Sequence, residues 1–216
     1  MLRAQIDAAN AYELLFVPAL FAQWVPKVAD AAHIQPGQHV LDVACGTGIL
    51  AREVISRTGS SGDVVGIDSS PGMLTIARQL APGIEWQEGV AESLPFPDQS
   101  FDAAVSQFGL MFFRDQCKAV REMLRVLAPG GRLAVAVWDS LDNIPAYADE
   151  VALLDQTAGR PPMHCVRLSC SANGRNWPRC FRKPGWAQPK SQPITAQRSF
   201  PIFGQWSKPT LEAGCQ

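Results

Sequence analysis

One short stretch gathers the residue types that a ligand site needs: Asp42-Val43-Ala44-Cys45-Gly46-Thr47-Gly48. Two glycines at that spacing permit a tight turn and let the backbone approach a ligand closely. Residues 49–57 carry a helical pattern, and a helix N-terminus offers free N–H groups to whatever occupies the turn. With Ala51 the spacing also fits the G-x-G-x-x-[GA] dinucleotide fingerprint, which alone is weak and competes with a plain structural turn. Asp42 separates the ligand classes. A carboxylate at the mouth of the loop repels a pyrophosphate and attracts a cationic amine, unless it only stabilises the turn.

A second carboxylate, Asp68, stands 26 residues after Asp42, at the end of the next apolar run. An acid there can accept hydrogen bonds from ribose hydroxyls; its alternative role is to cap a helix starting near Pro71. Ala91-Glu92 falls in a third loop, where an adenine could lie, or Glu92 is a solvated charge. Ser106-Gln107-Phe108 falls in a fourth. Met111, Phe112 and Phe113 are either an apolar wall or core. His33, His39 and His164 are dispersed, and no Cys-x-x-Cys, Gly-x-Ser-x-Gly elbow or Gly-Lys-Ser/Thr loop occurs. Cys45, inside the glycine turn, reads as a small buried residue rather than a nucleophile.

The elements that must position these residues follow from periodicity and punctuation. Residues 1–32 are Ala-rich with helical spacing, cut by Pro18 and Pro26. Strands are expected at 39–44, 63–67, 84–87, 101–106 and 132–138. Helices are expected at 49–57, 71–80, 117–127 and about 144–158. Pro71 suits a first helical turn, and Pro129-Gly130-Gly131 ends the helical stretch at 117–127. Apolar strands alternating with helices predict an α/β, Rossmann-like, doubly wound and mostly parallel sheet with helices on both faces. In such sheets ligands bind at the carboxyl ends of the strands beside the topological switch point. Every candidate above lies at such an end.

With 216 residues, 47% hydrophobic and 18% charged, the chain suits one domain or two small ones and is too apolar to be disordered throughout. The apolar run Leu14–Trp24 is interrupted by Pro18 and Gln23 and is half what a membrane span needs. Asp7 and Glu13 sit where a secretion signal would be basic. The expectation is a cytoplasmic protein without a membrane span. The net charge of -1 hides an asymmetry: residues 1–162 carry 11 Lys+Arg against 19 Asp+Glu, whereas residues 163–216 carry 8 against 1.

The segments VLDVACGTG, VVGIDSSPGMLTIAR, EGVAESLPFPDQSFDAAVSQFGLMFF and AVREMLRVLAPGGRLAVAVW together resemble the class I S-adenosylmethionine-dependent methyltransferases, in their UbiE-type branch, from about Val40 to Trp138. The resemblance implies S-adenosylmethionine as cofactor. Asp42, Gly46 and Gly48 would hold its methionine end, with Ala44 also counted among the cofactor-binding residues; Asp68 would hold its ribose, and Ser69 and Met73 would lie beside the adenosine. Ala91 and Glu92 would border the adenine, and Gln107 would begin the substrate-facing wall. The family often has Asp before the Ala-Glu pair where this chain has Val90, so the adenine contact falls to backbone or Glu92. The implied reaction is methyl transfer to a small acceptor, with an apolar lean from Leu14–Trp24 and Met111–Phe113. The sulfonium is already activated, so positioning matters more than a base, and no catalytic base stands out. Two alternatives remain: a nucleotide-dependent oxidoreductase, and an inactive cofactor-binding remnant.

The chain therefore divides into a helical segment over the site (1–36), a cofactor-binding core (37–160) and an atypical tail (161–216). The tail loses all periodicity where the family has a helix and two closing strands. The expectation is that the tail is a frameshifted translation of that region. Reading the third base of each codon with the next two forces Ala-Leu from Met163-His164-Cys165, Leu-Ala from Asn176-Trp177-Pro178 and Gly from Trp186-Ala187. On that reading the basic charge and the four tail cysteines are accidental, so zinc, disulfide and nucleic-acid roles are not expected. The sheet would be left with an open edge.

Overall fold

The computed structural model describes residues 2–138 throughout and the backbone of 192–193 and 202–207. Four β-branched and aliphatic runs form the inner strands. Strand β1 (His39–Val43) pairs in parallel with β2 (Asp63–Asp68) on one side and β4 (Phe101–Gln107) on the other. Strand β3 (Glu85–Glu88) lies outside β2, and β5 (Leu127–Val137) outside β4, both parallel. Strands β6 (Gln192–Pro193) and β7 (Ile202–Ser207) complete the order β3-β2-β1-β4-β5-β7-β6, with β7 antiparallel to β5.

Strand alternation sends side chains to two separate cores. Val40, Val64, Ala103 and Val105 pack with helices α2 (Val25–Ala31), α3 (Ile49–Thr58) and α4 (Pro71–Leu80). Leu41, Val43, Ile67 and Ala104 pack on the other face with Ala119, Val120 and Met123 of α5 (Gln116–Arg125). The chain steps outward from β1 to β3, then returns to place β4 on β1's other side. The switch point lies between the carboxyl ends of β1 and β4.

Three elements depart from the sequence reading. Pro18 does not break the N-terminal helix: α1 (Leu2–Ala11) runs on through a wide i→i+5 segment, Tyr12–Phe21, and a short tight turn into α2. Proline clashes with the carbonyl four residues back, and widening the turn relieves the clash without ending the helix. The run Leu2–Ala31 is consequently long and apolar enough to cross a membrane by length and composition alone. It nonetheless buries Ala9, Val17, Trp24, Val25, Val28 and Ala29 against the domain. Helix α5 ends at Arg125, short of Leu127, because β5 begins at Leu127. Pro129-Gly130-Gly131 is a bulge within that strand, where pairing jumps from Phe101↔Leu127 to Ala103↔Arg132. Finally, the edge expected to be open is covered, since residues 202–207 run along β5 from Arg132 to Val137. Main-chain pairing asks only for a segment able to extend, and Ile202-Phe203-Gly204-Gln205-Trp206 has the residue types that do so. The helix expected at about 144–158 and most of the tail lie outside the described residues.

Candidate functional site

The ends of β1 and β4 meet at the switch point through an unusual pair of backbones. Ala44 (φ 58°) and Phe108 (φ 58°) both adopt the left-handed conformation, which costs a non-glycine residue about 1–2 kcal/mol. Gly109 closes the contact: a Cβ there would stand 2.6 Å from that of Ala44. Gly48 is equally constrained, with φ 84° and an added Cβ only 2.3 Å from the Trp86 ring. The turn therefore lies flat on β3's indole and opens toward the crevice.

Asp68 ties this turn to the next one. One carboxylate oxygen accepts from the Gly46 N–H at 2.9 Å and the other from the Ser70 N–H at 2.8 Å. The Ser69 N–H adds a third bond, and these bonds partly offset the burial that pushes the carboxyl up. A carboxylate offers about four acceptor sites, so with these three bonds made one remains for a ligand hydroxyl. The capping role falls to Ser70, whose hydroxyl accepts from the Met73 N–H. Asp42 is 1% exposed. Burial raises its carboxyl to about 8, against the pull of a hydrogen bond from the Ala51 N–H and with a further push from Asp68. Its Oδ2 has no partner. Ala51, the third position of the glycine pattern, thus serves Asp42 as a donor rather than serving a phosphate. Cys45 is buried beneath, with its thiol pushed up by burial and by the carboxylates of Asp42 and Asp68.

The N-terminal segment lies over the crevice, and the sequence does not single out the polar side chains that meet there. Arg52 of α3 donates to the Thr47 carbonyl in the glycine turn and to Glu13 Oε1, both at 2.7 Å. The Tyr12 phenol is pushed up by burial and by Asp68, Glu13 and Asp42. The Tyr12 ring stacks on Phe21 at 5.3 Å, and Phe21 in turn meets Phe108 and Trp138. Gln107 Nε2 donates to the Phe21 carbonyl at 3.2 Å. Tyr12, Glu13, Phe21 and Arg52 meet only through contacts distant in sequence, so no periodicity marks them.

Asp42, Ala44, Gly46, Gly48, Asp68 and Gln107 thus converge. Ser69 is exposed and Met73 half-buried, on the flank formed by the start of α4. Ala91 is buried in the α5-side core. Glu92 turns to the approach to α5, accepting from the Arg114 N–H at 2.7 Å and the Asp115 N–H at 3.3 Å. Met111 belongs to one core and Phe113 to the other, while Phe112 is exposed.

Buried polar atoms without partners among the described residues include Asp42 Oδ2, Glu13 Oε2, Thr47 Oγ1, Ser106 Oγ and Gln107 Oε1. All five belong to the strand ends, the glycine turn or the segment above them. A buried polar atom without a partner is costly, so this cluster calls for a polar ligand. S-adenosylmethionine fits: its ammonium suits Asp42 and a ribose hydroxyl suits Asp68. A pyrophosphate does not fit beside a buried carboxylate, which disfavours the oxidoreductase reading.

Comparison with known proteins agrees. The family described as a methyltransferase domain matches residues 40–131. The demethylmenaquinone methyltransferase of Renibacterium salmoninarum is 46% identical over 114 residues, 53% of this chain and 47% of that protein. The 2-phytyl-1,4-naphtoquinone methyltransferase of Synechococcus elongatus is 45% identical over 118 residues, 52% of this chain and 51% of that protein. The chain spans about half the length of these curated relatives. Among solved structures, a SAM dependent methyltransferase from Aquifex aeolicus superposes with a TM-score of 0.59 at 19% identity, covering 85% of this chain and 88% of that one. The [4+2]-cyclase SpnF gives 0.56 at 21% identity, covering 88% and 82%. At these identities the likeness is one of fold, and the cyclase shows that the fold hosts other chemistry. Over residues 40–131, where the methyltransferase domain matches and these relatives align, the chain is similar to the class I S-adenosylmethionine-dependent methyltransferases, UbiE-like in kind.

Proposed function

We propose that this chain transfers a methyl group from S-adenosylmethionine to a small apolar acceptor of the quinone-precursor kind. The observation that carries the reading is the buried Asp42 carboxyl with one unpartnered oxygen, set beside Asp68 at the switch point. When bound, the cofactor supplies an electrophilic methyl on a sulfonium. The chain's own part is to position and to exclude water. Asp42 and the glycine turn orient the amino-acid end, and Asp68 orients the ribose while locking two turns together. The rings of Phe21, Phe108 and Trp138 stand near Gln107, where an apolar acceptor would be shielded from solvent. The names of the sequence relatives, all quinone methyltransferases in the matches above, support the acceptor class.

Calorimetric titration with S-adenosylhomocysteine tests the site. Micromolar binding that is lost in Asp68→Ala, with the fold retained by circular dichroism, is the expected result. A folded chain that does not bind would overturn the reading. Transfer of labelled methyl to a demethylated naphthoquinone tests the acceptor, and binding without transfer to any acceptor would instead favour a cofactor-binding remnant.

A further inference from the structure

The described acids around the crevice, Asp42, Asp68 and Glu13, suit the ammonium and hydroxyls of the cofactor. They would repel its α-carboxylate, which needs donors of its own. Two side chains at the rim have them. Arg52 is held between the glycine turn and the N-terminal segment by its bonds to Thr47 O and Glu13 Oε1, and a guanidinium has five N–H donors, enough to serve a further acceptor. Tyr12 is the residue beside Glu13, with its ring fixed on Phe21, which in turn meets Phe108 just past the carboxyl end of β4. These two donors thus flank the end of the crevice where Asp42 would take the ammonium on the same carbon.

We propose that Arg52 and Tyr12 are cofactor-binding residues that take the α-carboxylate of the methionine moiety, with Glu13 holding Arg52 in place. The inference rests on the methyltransferase reading and adds to it the recognition of the one anionic group of the ligand. It also gives the N-terminal segment a role: the segment carries Tyr12 and Glu13, so binding the carboxylate fastens it over the site.

The test compares two ligands that differ only in that group: S-adenosylhomocysteine and its decarboxylated analogue, 5′-deoxy-5′-(3-aminopropylthio)adenosine. Both are titrated calorimetrically into the wild-type chain, Tyr12→Phe, Arg52→Gln and Arg52→Lys. Tyr12→Phe keeps the ring stack and removes only the hydroxyl. Loss of a hydrogen bond to a charged group predicts that it binds S-adenosylhomocysteine about tenfold more weakly. Arg52→Gln is expected to lose more, with partial recovery in Arg52→Lys. All variants should bind the decarboxylated analogue within about twofold of wild type, since the bond they lack is one the analogue cannot make. Equal losses for both ligands would show that the two residues only support the fold and would overturn the proposal, as would unchanged affinity for both. A wild-type chain that binds neither ligand would overturn the methyltransferase reading itself and this proposal with it.

Discussion

At the scale of single residues, Asp42 sets a conflict between stability and binding. Its carboxyl lies at about 8 in the fold against 3.8 when free. A raised folded value stabilises the ligand-free domain fully below the free value, and that contribution is lost as pH climbs through 8. The bound ammonium requires the ionised form. Cofactor affinity should therefore rise with pH, by up to about tenfold per unit between roughly 6 and 8, and level off above. Asp68, Cys45 and Tyr12 face the same site but are also pushed up; the thiol and phenol stay protonated over this range. Asp42→Asn should flatten the profile, weaken binding and make the ligand-free domain more stable by about 1–3 kcal/mol at pH 8. Titrations and urea melts at several pH values check both halves. Gly48→Ala probes the turn. The positive φ and the 2.3 Å approach to Trp86 predict a loss of about 2–4 kcal/mol, read as a lowered urea midpoint, with binding lost.

At the scale of elements, the wide segment Tyr12–Phe21 decides what reaches the site. Nine residues separate Tyr12 from Phe21. At 3.6 residues per turn they would lie on opposite faces; at roughly 4.4, the winding of an i→i+5 helix, they share one. The stacked rings show that they do share it. Helix α5 provides a contrast. Its cap, Asp115, accepts from the Lys118 N–H at 2.8 Å, on the face of the sheet away from α3 and α4. Asp115→Ala should cost about 1 kcal/mol of stability and leave S-adenosylhomocysteine affinity unchanged. A drop in affinity would show that the two faces are coupled.

At the scale of the whole molecule, the sheet's outer edge is the open question that the chain poses about itself. Strand β7 covers β5 with residues from a tail that carries 8 basic residues against 1 acidic. We propose that residues 163–216 are a shifted reading of the family's closing segment. The frame-restored chain should then melt several degrees higher than this one, because its closing strands would carry matched apolar faces. Sequencing an independently obtained template through the codons for 158–166 decides the matter, and an intact frame there rejects the shift.

Local rules were enough for the first four strands, since apolar runs bounded by Gly and Pro place them within a residue or two of where they lie. Asp42, Gly46, Gly48 and Asp68 stand out in the sequence because strand-end loops are short, and the fold brings them together at the switch point. The start of β5 and the course of the N-terminal helix differ from the sequence expectation, because pairing with Phe101 overrides the turn signal at Pro129-Gly130 and a widened turn absorbs Pro18. Tyr12, Glu13, Phe21 and Arg52 enter the site only when the N-terminal segment packs across α3 and β4. Glu92 accepts from two N–H groups 22 and 23 residues away, contacts that no local pattern marks. Periodicity records which face of an element is apolar; which polar side chains meet across elements is settled only when the cores close and each buried donor finds its acceptor.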